Sequence, residues 1–200
     1  MPTFGSTTDV NGYANAVDKI VGGKYTCPET ARVTDITIRL YEPWNHHIKL
    51  AIYDSSKHLI ATTEQISTID QVGEYDATFS FASSDQPTIS SGDYYLAGSA
   101  DTTNGYNIGF MYGGTASSND LSFESYTQSS DIAFPSTFNS SASYTNSLTI
   151  WATYVSTDIG VDVTTLPDTP ESISLAEIPS VSTGSLTTVT FVSVSSERFT

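Results

Sequence analysis

The chain has a single cysteine, Cys27, in 200 residues. That excludes an intrachain disulfide and any zinc site built on paired cysteines. Cations are scarce as well: seven Lys plus Arg stand against 22 Asp plus Glu, for a net charge of −15. Affinity for nucleic acid rests largely on neutralising phosphates, so DNA and RNA are not expected partners, and anionic lipid surfaces repel such a chain. No apolar run is long enough to cross a bilayer, so membrane insertion is not expected. The N-terminus, MPTFGSTTDVNGYANAVDK, has no basic segment followed by an apolar one, so no signal peptide is visible. The expectation is synthesis in a reducing cytoplasm, with any extracellular role reached by another route, such as inside an assembled virus particle. G-x-S-x-G, H-E-x-x-H and P-loop motifs are all missing, and Cys27 has no local histidine partner, so the chain reads as not an enzyme. A glycosidase needs only two carboxylates, but no pair among the 22 acids stands out. No helical period of useful length occurs.

What is present is strand alternation. The hydrophobic fraction of 38% is enough to build a core. The organising stretch runs from Arg32 to Asp54. In it Ile36, Ile38 and Leu40 alternate with Thr37, Arg39 and Tyr41; after a short polar connection, Ile48, Leu50 and Ile52 alternate with Lys49, Ala51 and Tyr53. Side chains on a strand alternate between faces, so each run has one apolar face, and two strands cannot bury such faces without a second sheet above them. Further strands are expected at 19–27, broken by Gly22-Gly23, and at 58–64, 74–81, 93–100, 106–112, 120–126 and 147–155, with a long serine-rich loop around Pro135 before the last. The turn chemistry between them indicates an all-β, two-sheet antiparallel sandwich, jelly-roll-like. Residues 1–18 read as an extended N-terminal arm, 19–155 as the sandwich, and 156–200 as a proline-bearing C-terminal extension with one or two strands. In that extension Leu186, Val189, Phe191, Val192 and Val194 form an uncharged β-prone run. Such a run must pair with a sheet to avoid aggregation, so it is the expected assembly element.

The segments Thr3-Phe4-Gly5, Lys24-Tyr25-Thr26-Cys27-Pro28-Glu29, Ala51-Ile52-Tyr53-Asp54 and Leu59-Ile60-Ala61-Thr62-Thr63-Glu64 form a pattern. It continues with Ser91-Gly92-Asp93-Tyr94-Tyr95-Leu96-Ala97 and Leu148-Thr149-Ile150-Trp151-Ala152-Thr153-Tyr154. Through these segments, residues 1 to about 155 resemble a family of jelly-roll modules found in phage virion proteins and in surface proteins of environmental microbes. The resemblance implies a β-sandwich without an assigned activity; its motifs are structural, and fold alone does not deliver function.

Candidate binding chemistry is sparse. Trp44, His46 and His47, with Glu42, lie in the connection between the two opening strands, where they suit either a sugar or metal site or a solvated loop. Adjacent histidines on an extended chain point apart, which weakens a shared metal site. Tyr41 and Tyr53 occupy the outward phase of their strands, where tyrosines line a glycan or partner face, cover a sheet edge or pack under a loop. No cofactor is expected; the one metal that an acidic sandwich admits is Ca2+, with Asp9, Asp18, Asp101 and Asp120 at turns but without EF-hand spacing. Cys27 reads as a small buried hydrophobe. The functional expectation is a non-enzymatic structural protein of a virion (a capsid, capsid-decoration or tail-associated subunit). Its partners would be copies of itself and other virion proteins. The alternatives are a carbohydrate-binding or adhesion module using Trp44, His46, Tyr41 and Tyr53, with surface glycans as partners, and a subunit of an extracellular fibre joined by strand donation.

Overall fold

The computed structural model describes residues 1–7, 12–41, 46–67, 73–101, 108–113, 121–125, 128–140, 142–144 and 146–157. The chain divides into two units, Met1–Gly160 and Val161–Thr200, and all described residues belong to the first. The expected assembly run from Leu186 to Val194 therefore lies outside the described residues.

In chain order the strands are β1 (Thr3–Gly5), β2 (Gly12–Asn15), β3 (Lys19–Cys27), β4 (Ala31–Tyr41), β5 (His47–Asp54), β6 (Leu59–Thr62), β7 (Ile66–Ser67) and β8 (Glu74–Ser80). They continue with β9 (Thr88–Ile89), β10 (Gly92–Ala100), β11 (Gly109–Gly113), β12 (Leu121–Ser125), β13 (Ala142–Tyr144), β14 (Ser147–Leu148) and β15 (Ile150–Ser156). All pair antiparallel into two sheets. An eight-stranded sheet is built around β4, with β15 and β11 on one side and β8 and β9 on the other; β1 extends it beyond β15, and β2 and β14 both pair with β11. A seven-stranded sheet runs β13-β12-β3-β10-β5-β6, with β7 also on β5. The result is an all-β two-sheet sandwich compatible with a jelly-roll-like fold.

The two organising strands enter different sheets, and their apolar faces meet across the core. Ile36, Ile38 and Leu40 of β4 and Ile48, Leu50 and Ile52 of β5 are all fully buried in one cluster, with Phe79, Leu96, Phe110 and Ile150. The alternation in β4 slips once. Thr153 pairs with Asp35 but Tyr154 with Val33, so Thr34 is an extra residue. This bulge lets Val33 and Ile36, three positions apart, both point inward. The last expected strand is also split. Thr149 separates β14 from β15, accepting from the Arg39 amide (3.0 Å) and donating to the Met111 carbonyl (2.8 Å), where β11 parts from β4.

The expected break at Gly22-Gly23 does not occur. β3 runs unbroken and in register with β10 and β12 through both glycines. Their role is steric. A Cβ at Gly22 would approach Phe138 Cε1 to 3.2 Å on the outer face, and one at Gly23 would collide with the Tyr25 ring. Within the N-terminal arm, β1 and β2 lie along edges of the eight-stranded sheet.

Candidate functional site

Two places gather chemistry-bearing side chains. The first is the corner where β5 begins. β10 pairs with β5 up to Ala100 opposite Ile48, so the next residue, Asp101, falls beside His47. The Asp101 carboxylate is 1% exposed and accepts twice from His47, from its amide (2.9 Å) and from Nδ1 (2.6 Å). His46, fully buried, donates from Nδ1 to the Asp101 carbonyl at 2.8 Å. The two histidines thus converge on one residue instead of pointing apart, because His46 precedes the strand and escapes its alternation. A buried carboxylate is stable only when its lone pairs are engaged, and both oxygens here serve as a latch between β5 and β10. Asp18 accepts the Gln128 amide at 2.9 Å. Among the described residues no three His, Cys, Asp or Glu side chains converge to hold a metal ion. Asp9, Asp120, Glu42 and Trp44 lie outside the described residues.

Tyr53 does not face solvent. The outer face of the seven-stranded sheet carries Ile20, Ala51, Tyr53, Tyr95 and Ala97, and Phe138 packs down on it to form a second buried cluster. The 128–140 segment makes this cover. Its Pro135 carbonyl accepts from the Tyr53 hydroxyl (3.2 Å), and Phe138 lies 5.7 Å from Tyr53 and 6.2 Å from Tyr95 between ring centroids. Gln128 holds the near end, donating from Nε2 to Ser99 Oγ (2.9 Å) and to the Ala133 carbonyl (3.0 Å). Lys57, in the left-handed region at φ 67°, sets its Nζ over both the Tyr95 and Phe138 rings.

The second place is the outer face of the eight-stranded sheet, which has no such cover among the described residues. Along β4 and β8 the outward residues pair across the strands. Ser80 donates to Asp35 (2.6 Å), the Thr37 and Thr78 hydroxyls meet at 2.9 Å, and Arg39 grips Asp76 with Nε (2.7 Å) and Nη2 (3.0 Å). The next pair is Tyr41 opposite Glu74. On the other side of Tyr41 lies Gly109 of β11, and beyond it β2 brings Tyr13. The Tyr13 and Tyr41 rings stack at 5.1 Å and 13°. Gly109 permits this, since a Cβ there would sit 2.8 Å from Cβ, Cγ and Cδ2 of Tyr13. Tyr13 remains 54% exposed on this face, whereas Tyr75, opposite the buried Leu40, belongs to the other phase of β8. Arg39, Glu74, Tyr75 and Asp76 line an open cleft of about 280 Å³ at this end of the face.

Of the residues singled out from sequence for binding, Tyr41 lies on this open face, while His46 and Tyr53 are fully buried. The sequence reading passed over Tyr13, Arg39, Glu74 and Asp76. The signal for Arg39 was its outward phase beside Tyr41; Tyr13 had none, because nothing local says that the arm folds back onto β11.

No family model matches the chain, and neither a curated protein nor a solved structure matches it.

Proposed function

We propose that the chain is a non-enzymatic structural protein of a virion, a capsid, capsid-decoration or tail-associated subunit that works through protein–protein assembly. One observation carries the reading. The outermost part of the N-terminal arm, β1, joins the sandwich as a three-residue edge strand paired with β15 from Thr3 opposite Thr153 to Gly5 opposite Trp151. It contributes one core side chain, Phe4, which fills a notch between Tyr94 (6.4 Å) and Tyr154 (6.1 Å). A strand held by a short ladder and one aromatic knob can be exchanged with an identical copy at little cost, because every lost contact is remade on the neighbour. Gly5, at φ 130°, suits this docking, since a Cβ there would overlap the Ile150 carbonyl. The uncharged run from Leu186 to Val194 supplies a second segment that needs a sheet to pair with. The resemblance of residues 1 to about 155 to phage virion modules supports the same reading, and a virion is the corresponding location.

The test is light scattering and electron microscopy on the full chain, on Phe4→Asp and on a chain ending at residue 157. Defined oligomers whose mass falls in either variant support assembly. A full chain that stays monomeric at the highest soluble concentration overturns it.

A further inference from the structure

We infer that the open face of the eight-stranded sheet is a saccharide-binding face that takes a neutral hexopyranose ring of a glycan. Five large hydrophobic side chains are exposed among the described residues: Met1, Tyr13, Ile60, Tyr75 and Val155. One of the five, Tyr13, stands on this patch; Tyr75 lies in the opposite phase of β8, across from the buried Leu40, and borders only the cleft at its end. An exposed ring that is also positioned is unusual. Tyr13 is stacked on Tyr41 and seated in the gap left by Gly109, so its plane is set by the sheet beneath it. The face of an aromatic ring is electron-rich and attracts the weakly positive C–H bonds along one face of a pyranose, while phenol hydroxyls at the rim meet the sugar's hydroxyls.

The polar half of the site is equally fixed. Arg39 and Tyr41 point the same way two residues apart on β4, and the Arg39–Asp76 fork holds a donor edge and an acceptor edge side by side. Adjacent sugar hydroxyls need that pairing, since each hydroxyl both donates and accepts. The side chains of the fork are 25% and 42% exposed, so ligand can reach them without unfolding anything. The cleft they line with Glu74 and Tyr75, about 280 Å³, falls just below the range of about 300–1,000 Å³ typical of drug-sized pockets, and so suits a single ring.

Charge chooses among occupants. Glu74 and Asp76 flank the cleft, and the chain carries −15 overall. Sialylated, uronic and sulfated sugars would meet like charge here. A second copy docking by the same face would oppose its own carboxylates to these, an arrangement that costs affinity. A neutral sugar meets no such penalty.

The full chain is screened on a printed array of neutral and sialylated glycans, then titrated with methyl β-glucopyranoside and methyl α-mannopyranoside by saturation-transfer NMR. Binding confined to neutral rings is expected, weakened at least tenfold by Tyr13→Ala, whose largely exposed side chain can be removed without loss of fold. Gly109→Ala, which displaces the Tyr13 ring, weakens it similarly, and Lys24→Ala on the other sheet leaves it unchanged. The inference is overturned if no glycan binds, if only sialylated glycans bind, or if Tyr13→Ala binds as tightly as the parent. It is also overturned if Tyr13→Ala instead changes the oligomer mass, which would make the patch a protein interface. A negative array leaves the assembly reading standing, because that reading rests on Phe4 and β15, not on this face.

Discussion

Replacing Phe138 by alanine tests whether the 128–140 segment is a structural cover. The ring is 1% exposed and packs on Tyr53 and Tyr95, with the Lys57 ammonium 5.5 Å from its centre. Its backbone amide donates to the Lys57 carbonyl at 2.9 Å and survives the substitution. Buried Phe→Ala changes cost about 3–5 kcal/mol, the spread reflecting how far the site collapses. Here one wall is a loop, which can settle toward the sheet, so the lower end applies, about 3 kcal/mol. For a β domain of this size each kcal/mol shifts the melting temperature by roughly 2–4 °C, so Phe138→Ala is expected to melt about 6–12 °C below the parent in a circular-dichroism scan. Phe138→Leu, which keeps most of the volume, should lose less than half as much. Limited proteolysis supplies the second readout, with new cleavage expected within 128–140 in the alanine variant. If Phe138→Ala melts within about 2 °C of the parent and gains no cleavage site, the segment does not close that face. Tyr53 and Tyr95 would then rejoin the surface as ligand-facing rings.

Asp101→Ala removes both acceptors of His47 and leaves a part-buried amide without its carboxylate, so a loss of about 1–3 kcal/mol is expected in urea titration, with Asp101→Asn milder. Gly98→Ala places a Cβ 2.6 Å from Leu50 Cδ2 and 2.7 Å from Phe110 Cε2 in the middle of the core, and overpacking of this kind costs about 1–3 kcal/mol by the same measurement. Stability should also fall at both ends of the pH scale. Burial first, and the hydrogen bond to Glu29 second, push the Tyr154 phenol up to about 12, so its contribution is complete below the ordinary value of 10.0 and is lost as pH rises toward 12. Tyr154→Phe should flatten that alkaline fall. The hydrogen bond from Thr26, and then Lys24, hold the Asp93 carboxyl below 3.8, so its contribution is present above that value and disappears as pH drops through the lowered one. Asp93→Asn should shrink the acid fall in melting temperature.

Strand phase was readable from sequence because it is local. The alternations around Ile36–Leu40 and Ile48–Ile52 determine which side chains face inward; the phase slip at the Thr34 bulge, between the inward Val33 and Ile36, falls outside both runs. What lies above an outward residue was not readable. Tyr41 and Tyr53 have the same phase signature, yet one is capped by Tyr13 from the arm and the other by Phe138 from a loop distant in sequence. The glycine pair in β3 misled for the same reason: a bulge is a local explanation, whereas the room is needed by Phe138 on one side and Tyr25 on the other. His46 and His47 converge because the alternation starts only at His47, and because Asp101 arrives from β10 by register.

The position of β15 has a consequence for the order of folding. The last described strand in the chain lies between β4 and β1, with Ile150 opposite Ile38 and Ala152 opposite Phe4. The eight-stranded sheet therefore cannot close during synthesis until the segment around Ser156 has left the ribosome, and pairings between such distant segments place folding among the slower topologies. Until then Phe4 has no notch to fill, and for a moment after release each new chain carries both an undocked arm and a vacant β15 edge. A neighbour's arm that met that edge in this interval would compete with the chain's own.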